Sequence, residues 1–236
     1  MKVVGVIPAR FKSTRFPGKV LAPILGKPMV QHVWERVQEA SGVDRWVLAT
    51  DSDEVAKVAR GFGAEVAITS EALTSGTDRV AEAVDQTDAE LVVNVQGDEP
   101  LVTADMVSQL VKPMVKDPDI PMATLRCPIE DKKVYQDPNV VKVQTDGEGW
   151  ALDFSRKPDK KTEWDKHLGF YAYRRDFLKQ MTEWKPTERE KKERLEQLRV
   201  IENGGRILTV IASSDTIGVD TPKDVTQVEA ILGKNA

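Results

Sequence analysis

Arg10, Lys12, Arg15 and Lys19 place four cations within ten residues of a chain whose net charge is −4, with no acidic residue among them. Ser13, Thr14 and Gly18 add hydroxyls and unencumbered backbone to the same stretch. Cations, small hydroxyl residues and free N–H groups suit a polyphosphate. A solvated basic turn would carry the same charges, and charge alone leaves both readings open. Position favours the ligand. The run Val3 to Ile7 is apolar and β-branched, as a buried strand should be, and Pro8 then ends the ladder because it has no N–H to donate. A loop leaving the carboxyl end of a first strand lies where open α/β sheets bind ligands. The loop matches neither G-x-x-x-x-G-K-[ST] nor G-x-G-x-x-G, which argues against an ordinary ATPase or dehydrogenase.

Three carboxylates follow strands in the same way. Asp98 stands in the turn Gln96-Gly97-Asp98-Glu99-Pro100 after an apolar run, Asp220 in Gly218-Val219-Asp220-Thr221-Pro222, and Asp51 after a second strand. Residues just past the carboxyl ends of parallel strands converge on one rim, so Asp98 and Asp220 can approach the basic loop. Two carboxylates beside a triphosphate form a hard-oxygen site for Mg²⁺. Asp220 alone reads equally as a helix N-cap before Thr221-Pro222, and Asp51 reads as a cap. Ser75-Gly76-Thr77-Asp78-Arg79 is a second small-residue loop entering a helix. Its backbone and Arg79 could read the edge of a base, although a Ser in that position also serves simply as a cap. His167 and Tyr171 alternate along one strand and share a face; a strand His is commonly just a hydrogen-bond partner. The two histidines lack zinc spacing with the one cysteine, and no G-x-S-x-G elbow is present.

The elements that must position these residues follow from periodicity. Strands are predicted at Val3–Ile7, Trp46–Thr50, Glu65–Thr69 and Leu91–Val95, the last interrupted by Asn94. Helices are predicted from Lys27-Pro28, over Asp53–Phe62 and over Thr77–Asp85. Four strand-then-helix units predict an α/β fold: a doubly wound, mostly parallel sheet with helices on both faces. Beyond them lie strands at Met122–Cys127, Val140–Thr145, Trp150–Phe154, His167–Tyr173 and Arg206–Ala212, with a hairpin turn at Asp146 to Gly149. One charged helix is expected over Thr187–Glu202, opened by a Thr187/Glu190 capping box, and another over Thr221–Leu232. A single domain over 1–236 is expected: a nucleotide-binding part to about 118, a hairpin-rich part over about 119–212, and a return to the core over 213–236. At 236 residues the chain is long enough for a sizeable core. No apolar run approaches the roughly 18 residues of a membrane span. The net negative charge argues against a nucleic-acid polymer as partner. Cys127 is alone, so no intrachain disulfide forms and a cytoplasmic, reducing setting is expected.

Taken together, the motifs resemble one family. They are Val6-Ile7-Pro8-Ala9-Arg10, Ser13-Thr14-Arg15-Phe16-Pro17-Gly18-Lys19, Gly26-Lys27-Pro28-Met29, Ala49-Thr50-Asp51, Ser75-Gly76-Thr77 and Asn94 through Pro100. Phe154-Ser155-Arg156, His167 through Tyr171, Leu195-Glu196-Gln197-Leu198-Arg199 and Gly218 through Pro222 complete the set. The chain is similar over essentially its whole length to 3-deoxy-manno-octulosonate (Kdo) cytidylyltransferases, a nucleotidyltransferase family with a Rossmann-like fold. The resemblance implies transfer of a cytidylyl group from CTP to the anomeric hydroxyl of Kdo, giving CMP-Kdo and pyrophosphate for lipopolysaccharide biosynthesis. It implies that Arg10, Ser13, Arg15 and Lys19 hold the triphosphate, that Pro8, Ala9, Ser75, Gly76 and Arg79 read cytosine, and that Asp98 and Asp220 hold Mg²⁺. Arg10, Lys19 and Asp98 carry the catalytic role. Gln96, Arg156, His167, Tyr171, Glu196 and Gln197 shape the sugar pocket, with Arg156 facing the sugar's carboxylate. A homodimer is implied too, with the hairpin-rich half as its interface.

In one place the chain departs from that family. Only Lys157 to Lys166 separates Arg156 from His167, where family members carry a longer segment. That keeps open the same reaction on 8-amino-3,8-dideoxy-manno-octulosonate or another acidic sugar. A non-catalytic nucleotide-binding module is the reading from a different class, and its signature would be loss of Lys19, Asp98 or Asp220, all of which are present.

Overall fold

The computed structural model describes residues 1–13, 16–73, 75–85, 87–159 and 162–234. Along the chain come β1 (Val3–Pro8), a 3₁₀ turn (Lys19–Leu21), β2 (Pro23–Ile24), β3 (Lys27–Pro28), α1 (Met29–Val37), β4 (Arg45–Thr50) and α2 (Asp53–Gly61). Next are β5 (Val66–Ile68), α3 (Gly76–Val84), β6 (Leu91–Asn94), α4 (Ala104–Lys116), β7 (Met122–Cys127), α5 (Lys132–Gln136) and β8 (Lys142–Thr145). The remainder is β9 (Ala151–Ser155), β10 (Asp165–Arg174), α6 (Arg175–Glu183), α7 (Glu188–Glu193), α8 (Gln197–Glu202), β11 (Leu208–Ile211) and α9 (Pro222–Leu232). No helix among the described residues is long and apolar enough to cross a membrane. Contacts divide the chain into two compact units, 1–108 with 216–236, and 109–215.

In the first unit four parallel strands lie in the order β5-β4-β1-β6. The chain steps from β1 to β4 to β5 in one direction, then returns through α3 to β6 on the other side of β1. Connections of this kind are right-handed, so reversing direction puts the crossover helices on opposite faces. The β1/β6 boundary is the topological switch point. This is the α/β, mostly parallel architecture expected from the alternating periods. β1 is buried along its whole length. It does not stop before Pro8, as expected; Pro8 is its last residue, paired with Ala49, and lends only its carbonyl, which accepts from Gly97 N–H at 3.2 Å.

In the second unit β7 is flanked by β11, parallel, and β10, antiparallel, while β8 pairs with both β10 and β9. The β8–β9 turn is closed as its sequence predicts, with Asp146 Oδ1 accepting from Trp150 N–H at 2.8 Å and Gly149 at φ 89°. Two helices, α5 and α6, have no counterpart in the periodicity reading. The single helix expected over Thr187–Glu202 is instead two, α7 and α8. The Thr187/Glu190 capping box forms, but Arg194 takes a left-handed conformation (φ 55°, ψ 50°) and ends the first of them. A buried Glu190–Arg199 ion pair of 2.5 Å then ties α7 to α8 across the break.

Gly5 and Trp46 are register partners on β1 and β4. A Cβ at Gly5 would stand 2.3 Å from the buried Trp46 ring, so glycine is what lets that ring lie over β1. Gly5→Ala is expected to cost about 1–3 kcal/mol through overpacking. Urea denaturation measures it, and an unchanged midpoint would contradict this packing account.

Candidate active site

The loop after β1 is built from within. Phe11 O accepts from Gly18 N–H at 3.1 Å, which draws the two ends of the loop together. Gly18 supplies the left-handed turn at φ 68°, and the next three residues, Lys19–Leu21, form the 3₁₀ turn. Phe16 anchors the loop in an apolar cluster with Ile24, Met29, Val219, Val228 and Leu232. Val219 in that cluster is the neighbour of Asp220, so the same burial holds both the base of the loop and the strand-to-helix junction before α9. The second rim turn is tied to this junction by backbone: Val219 N–H donates to Asp98 O at 2.9 Å. Thr216 Oγ1 donates to Glu99 at 3.1 Å. Gly97 packs under β1, where a Cβ would stand 3.0 Å from Pro8 O.

These constraints bring together three of the residues singled out from sequence. Lys19 Nζ lies 2.5 Å from Asp98 Oδ2 and 3.2 Å from Asp220 Oδ1, and it donates to Val219 O at 3.0 Å. The ammonium is largely buried, with a side chain 13% exposed. Burial is the largest single influence on it and disfavours the charge, but Asp98 and then Asp220 outweigh that effect and raise its pKa. Lys19 therefore stays cationic at neutral pH. Asp220 is not the helix cap. Thr221 holds that position, and Asp224 accepts from the N–H groups of both Asp220 and Thr221 at 3.0 and 2.7 Å, which leaves the Asp220 carboxylate to face Lys19.

The same geometry tests the fit of a divalent cation. Asp98 and Asp220 both lie within 3.2 Å of one positive charge, the Lys19 ammonium, so their carboxylates stand close enough together to serve one cation. Among the described residues no cluster of three or more His, Cys, Asp and Glu side chains could hold a metal. Two carboxylates with the rest of the shell left to water and phosphate is the donor set Mg²⁺ favours, so the residues fit.

Around the residues expected to read a base the structure redistributes roles. Ser75 is the N-cap of α3, its Oγ accepting from Asp78 N–H at 3.0 Å. Gly76 opens the helix beside the Gln96 amide, which a Cβ would approach to 3.2 Å. Gln96 in turn donates to Asn94 Oδ1 at 3.1 Å. Ala9 N–H is committed to Ala49 O at 2.8 Å. Arg79 is a correction to the sequence reading. Its side chain is 2% exposed, with one Nη on Thr69 and the other 2.8 Å from Asp51, so it pins α3 to the β4 and β5 ends instead of reaching out to a base. Asp51 is corrected with it, since the cap of α2 is Ser52. Arg10 and Lys12 are exposed, and Lys12 pairs with Glu71 at 3.0 Å. Ser13 is half-buried. Arg15 and Thr14 lie outside the described residues.

The second unit gathers its own polar and aromatic group. His167, Tyr171, Phe154 and Tyr173 form a chain of ring contacts, with centroids 5.1–5.8 Å apart. Phe154 was read from sequence as the end of a strand and as part of the Phe154-Ser155-Arg156 motif, with no role of its own in the site. His167 Nε2 lies 2.9 Å from Thr124 Oγ1. Burial depresses the imidazole pKa to about 3. Burial, and behind it the charge of the Glu196 carboxylate, holds the Tyr171 phenol well above its usual value. Gln197 is buried at the start of α8. Arg156 does not present a free fork for a carboxylate: it donates to Glu193 O at 2.9 Å, Asn139 O at 3.2 Å and Pro138 O at 3.3 Å, pinning the β9 end to its surroundings.

A parallel sheet with a cationic loop and two rim carboxylates at its switch point is the arrangement a nucleotidyltransferase needs to hold a triphosphate. Comparison with known proteins narrows it. A family model described as cytidylyltransferase matches residues 4–207. The 3-deoxy-manno-octulosonate cytidylyltransferase of Geobacter metallireducens is 48% identical over 99% of both chains. Its counterpart in Histophilus somni is 45% identical over 98% of this chain and 99% of its own. A solved CMP:2-keto-3-deoxy-manno-octonic acid synthetase, complexed with CTP, matches with a TM-score of 0.95 at 39% identity over 100% of both chains. The chain belongs to the 3-deoxy-manno-octulosonate cytidylyltransferase family. A 4-diphosphocytidyl-2C-methyl-D-erythritol synthase from Anaerococcus prevotii, 14% identical with a TM-score of 0.64 over 98% of both chains, shares the fold. The Geobacter alignment spans 251 positions against 236 residues here, so that relative carries residues this chain lacks.

Two outcomes follow from the buried groups. Arg79→Met leaves Asp51 uncompensated and is expected to cost about 3–5 kcal/mol, read by urea unfolding; a loss under 1 kcal/mol would show the pair to be dispensable. His167 is neutral when folded, with a pKa near 3 against an ordinary 6.5. Below 6.5 the unfolded chain takes a proton that the folded chain refuses, so this contribution is complete above 6.5 and is lost as pH falls toward 3. The slope reaches about 1.4 kcal/mol per pH unit. Unfolding free energies for wild type and His167→Gln across that window should differ in slope by this amount, and parallel curves would refute it.

Proposed function

We propose that the protein transfers the cytidylyl group of CTP to the anomeric hydroxyl of Kdo, releasing pyrophosphate. The observation that carries this is Lys19, held by Asp98 and Asp220 at the switch-point rim of a parallel sheet, in a chain whose relatives are named for that reaction. The sugar oxygen bonds to the α-phosphorus and gives up its proton to water as the bridge from α- to β-phosphate breaks, and pyrophosphate departs with the electrons of that bond. Negative charge accumulates on the nonbridging and leaving oxygens. A fixed cation stabilises it without reorganising. Lys19 is such a cation because its position is set by three acceptors before any substrate arrives. Arg10, Ser13 and Arg15 are assigned with it to the triphosphate. The backbone at Pro8, Ala9, Ser75 and Gly76 is assigned to cytosine, with Arg79 keeping α3 in place.

Asp98 and Asp220 are the residues that would hold Mg²⁺, which when bound supplies counter-charge to the triphosphate. His167, Tyr171, Glu196 and Gln197 of the second unit are assigned to the sugar. The names of the relatives favour Kdo over its 8-amino analogue. A cytoplasmic homodimer serving lipopolysaccharide synthesis completes the proposal; the lone Cys127 suits a reducing compartment, and sedimentation reads the dimer.

The test is pyrophosphate release from CTP and Mg²⁺, with and without Kdo, its 8-amino analogue and sialic acid. Release dependent on Kdo is expected, and release indifferent to sugar would overturn the proposal. Lys19→Ala and Asp98→Asn should each lower turnover roughly 10²–10³-fold, by analogy with loss of an oxyanion donor. Wild-type rates in either variant would remove that residue from the mechanism.

A further inference from the structure

β10 and β7 fall out of register between Leu168 and Tyr171: Leu168 pairs with Leu125, yet Tyr171 pairs with the adjacent Thr124. The extra residues, Gly169 and Phe170, fold two carbonyls around the Thr124 side chain. Thr124 Oγ1 lies 2.8 Å from Phe170 O and 3.3 Å from Leu168 O, and 2.9 Å from His167 Nε2. Thr124 is fully buried, so these are the partners that decide where its proton goes.

A hydroxyl has one proton to give, and a carbonyl has none. The Thr124 proton must therefore point at a carbonyl, and its oxygen must accept from His167 Nε2–H. We infer that Thr124 is a positioning residue that fixes His167 as the Nε2–H tautomer, leaving Nδ1 as a neutral hydrogen-bond acceptor. Resting on the sugar-binding role proposed above for His167, this specifies what His167 recognises: a hydrogen-bond donor on the sugar, a hydroxyl or an ammonium. It does not recognise a carboxylate, which would repel the Nδ1 lone pair. Burial of the ring keeps the imidazole uncharged, so the selection is not erased by protonation at neutral pH. The ring contacts of His167 with Phe154 and Tyr171 hold its plane while Thr124 sets its tautomer.

The chain has two histidines, so imidazole ¹⁵N NMR of the full-length protein at neutral pH can be assigned with His32→Gln alone. A protonated Nε2 and an unprotonated Nδ1 on His167 are expected. A proton on Nδ1, or on both nitrogens, would overturn the inference without reference to any substrate. Thr124→Val removes the acceptor at similar volume. It should disturb the His167 tautomer signals and raise KM for Kdo roughly tenfold, the scale of one hydrogen bond, with kcat little changed. Thr124→Ser should restore both. Unaltered His167 signals and KM in Thr124→Val would reject the positioning role. Absence of Kdo-dependent release in the wild type would instead strike the proposed function, with the tautomer still legible in the spectrum.

Discussion

A buried ammonium flanked by two carboxylates is the constraint on which the rest of the first unit depends. Burial of Lys19 to 13% exposure disfavours its charge and Asp98 and Asp220 offset that, while two carboxylates so close would repel each other without a cation between them. The fold supplies this arrangement from three distant places in sequence: the loop after β1, the turn after β6 and the junction before α9. Each is fixed by something other than the charges. The loop is closed by Phe11 and Gly18, the turn is hung on Pro8 and Val219, and the junction is packed by its apolar neighbour and capped by Thr221 and Asp224. The charges converge because uncharged interactions hold their backbones there. Electrostatic preorganisation requires that, since groups free to relax around the substrate give up part of their effect.

The second unit uses a different means to the same end. Among its candidate sugar residues His167, Tyr171 and Gln197 are uncharged, and the group is oriented by the β10 irregularity, ring packing and the Glu190–Arg199 pair that joins two short helices. A positively charged histidine there would be hard to sustain, whereas a neutral one held by a hydroxyl is compatible with a dry environment. The first unit thus gathers fixed charges at the rim of its parallel sheet, whereas the second gathers uncharged rings and hydroxyls around His167.

Several of these features were legible residue by residue. The cation cluster after β1 stood out because it opposed the charge of the chain, and Asp98 because a buried strand seldom ends in so acidic a turn. Asp220 was ambiguous, since a carboxylate before Thr-Pro is as good a cap as a ligand; only the Thr221–Asp224 box resolves it. Asp51 and Arg79 were assigned separately, as cap and base reader, when they are partners 28 positions apart in a buried ion pair. Arg156 looked available for a carboxylate, yet its guanidinium is taken up by main-chain carbonyls that no local pattern reveals. Thr124 gave no signal, because a threonine within a strand is ordinary.

By itself the sequence determined the order and type of most elements, the α/β class and the family. Those depend on periodicity, turn chemistry and local motif, which are properties of neighbours along the chain. Tertiary structure decided which polar groups are partnered, which are buried, and hence which remain to meet a ligand. A side chain's partner is set by packing between remote segments, and its charge state by the water that packing excludes. Neither is written in any one stretch of residues.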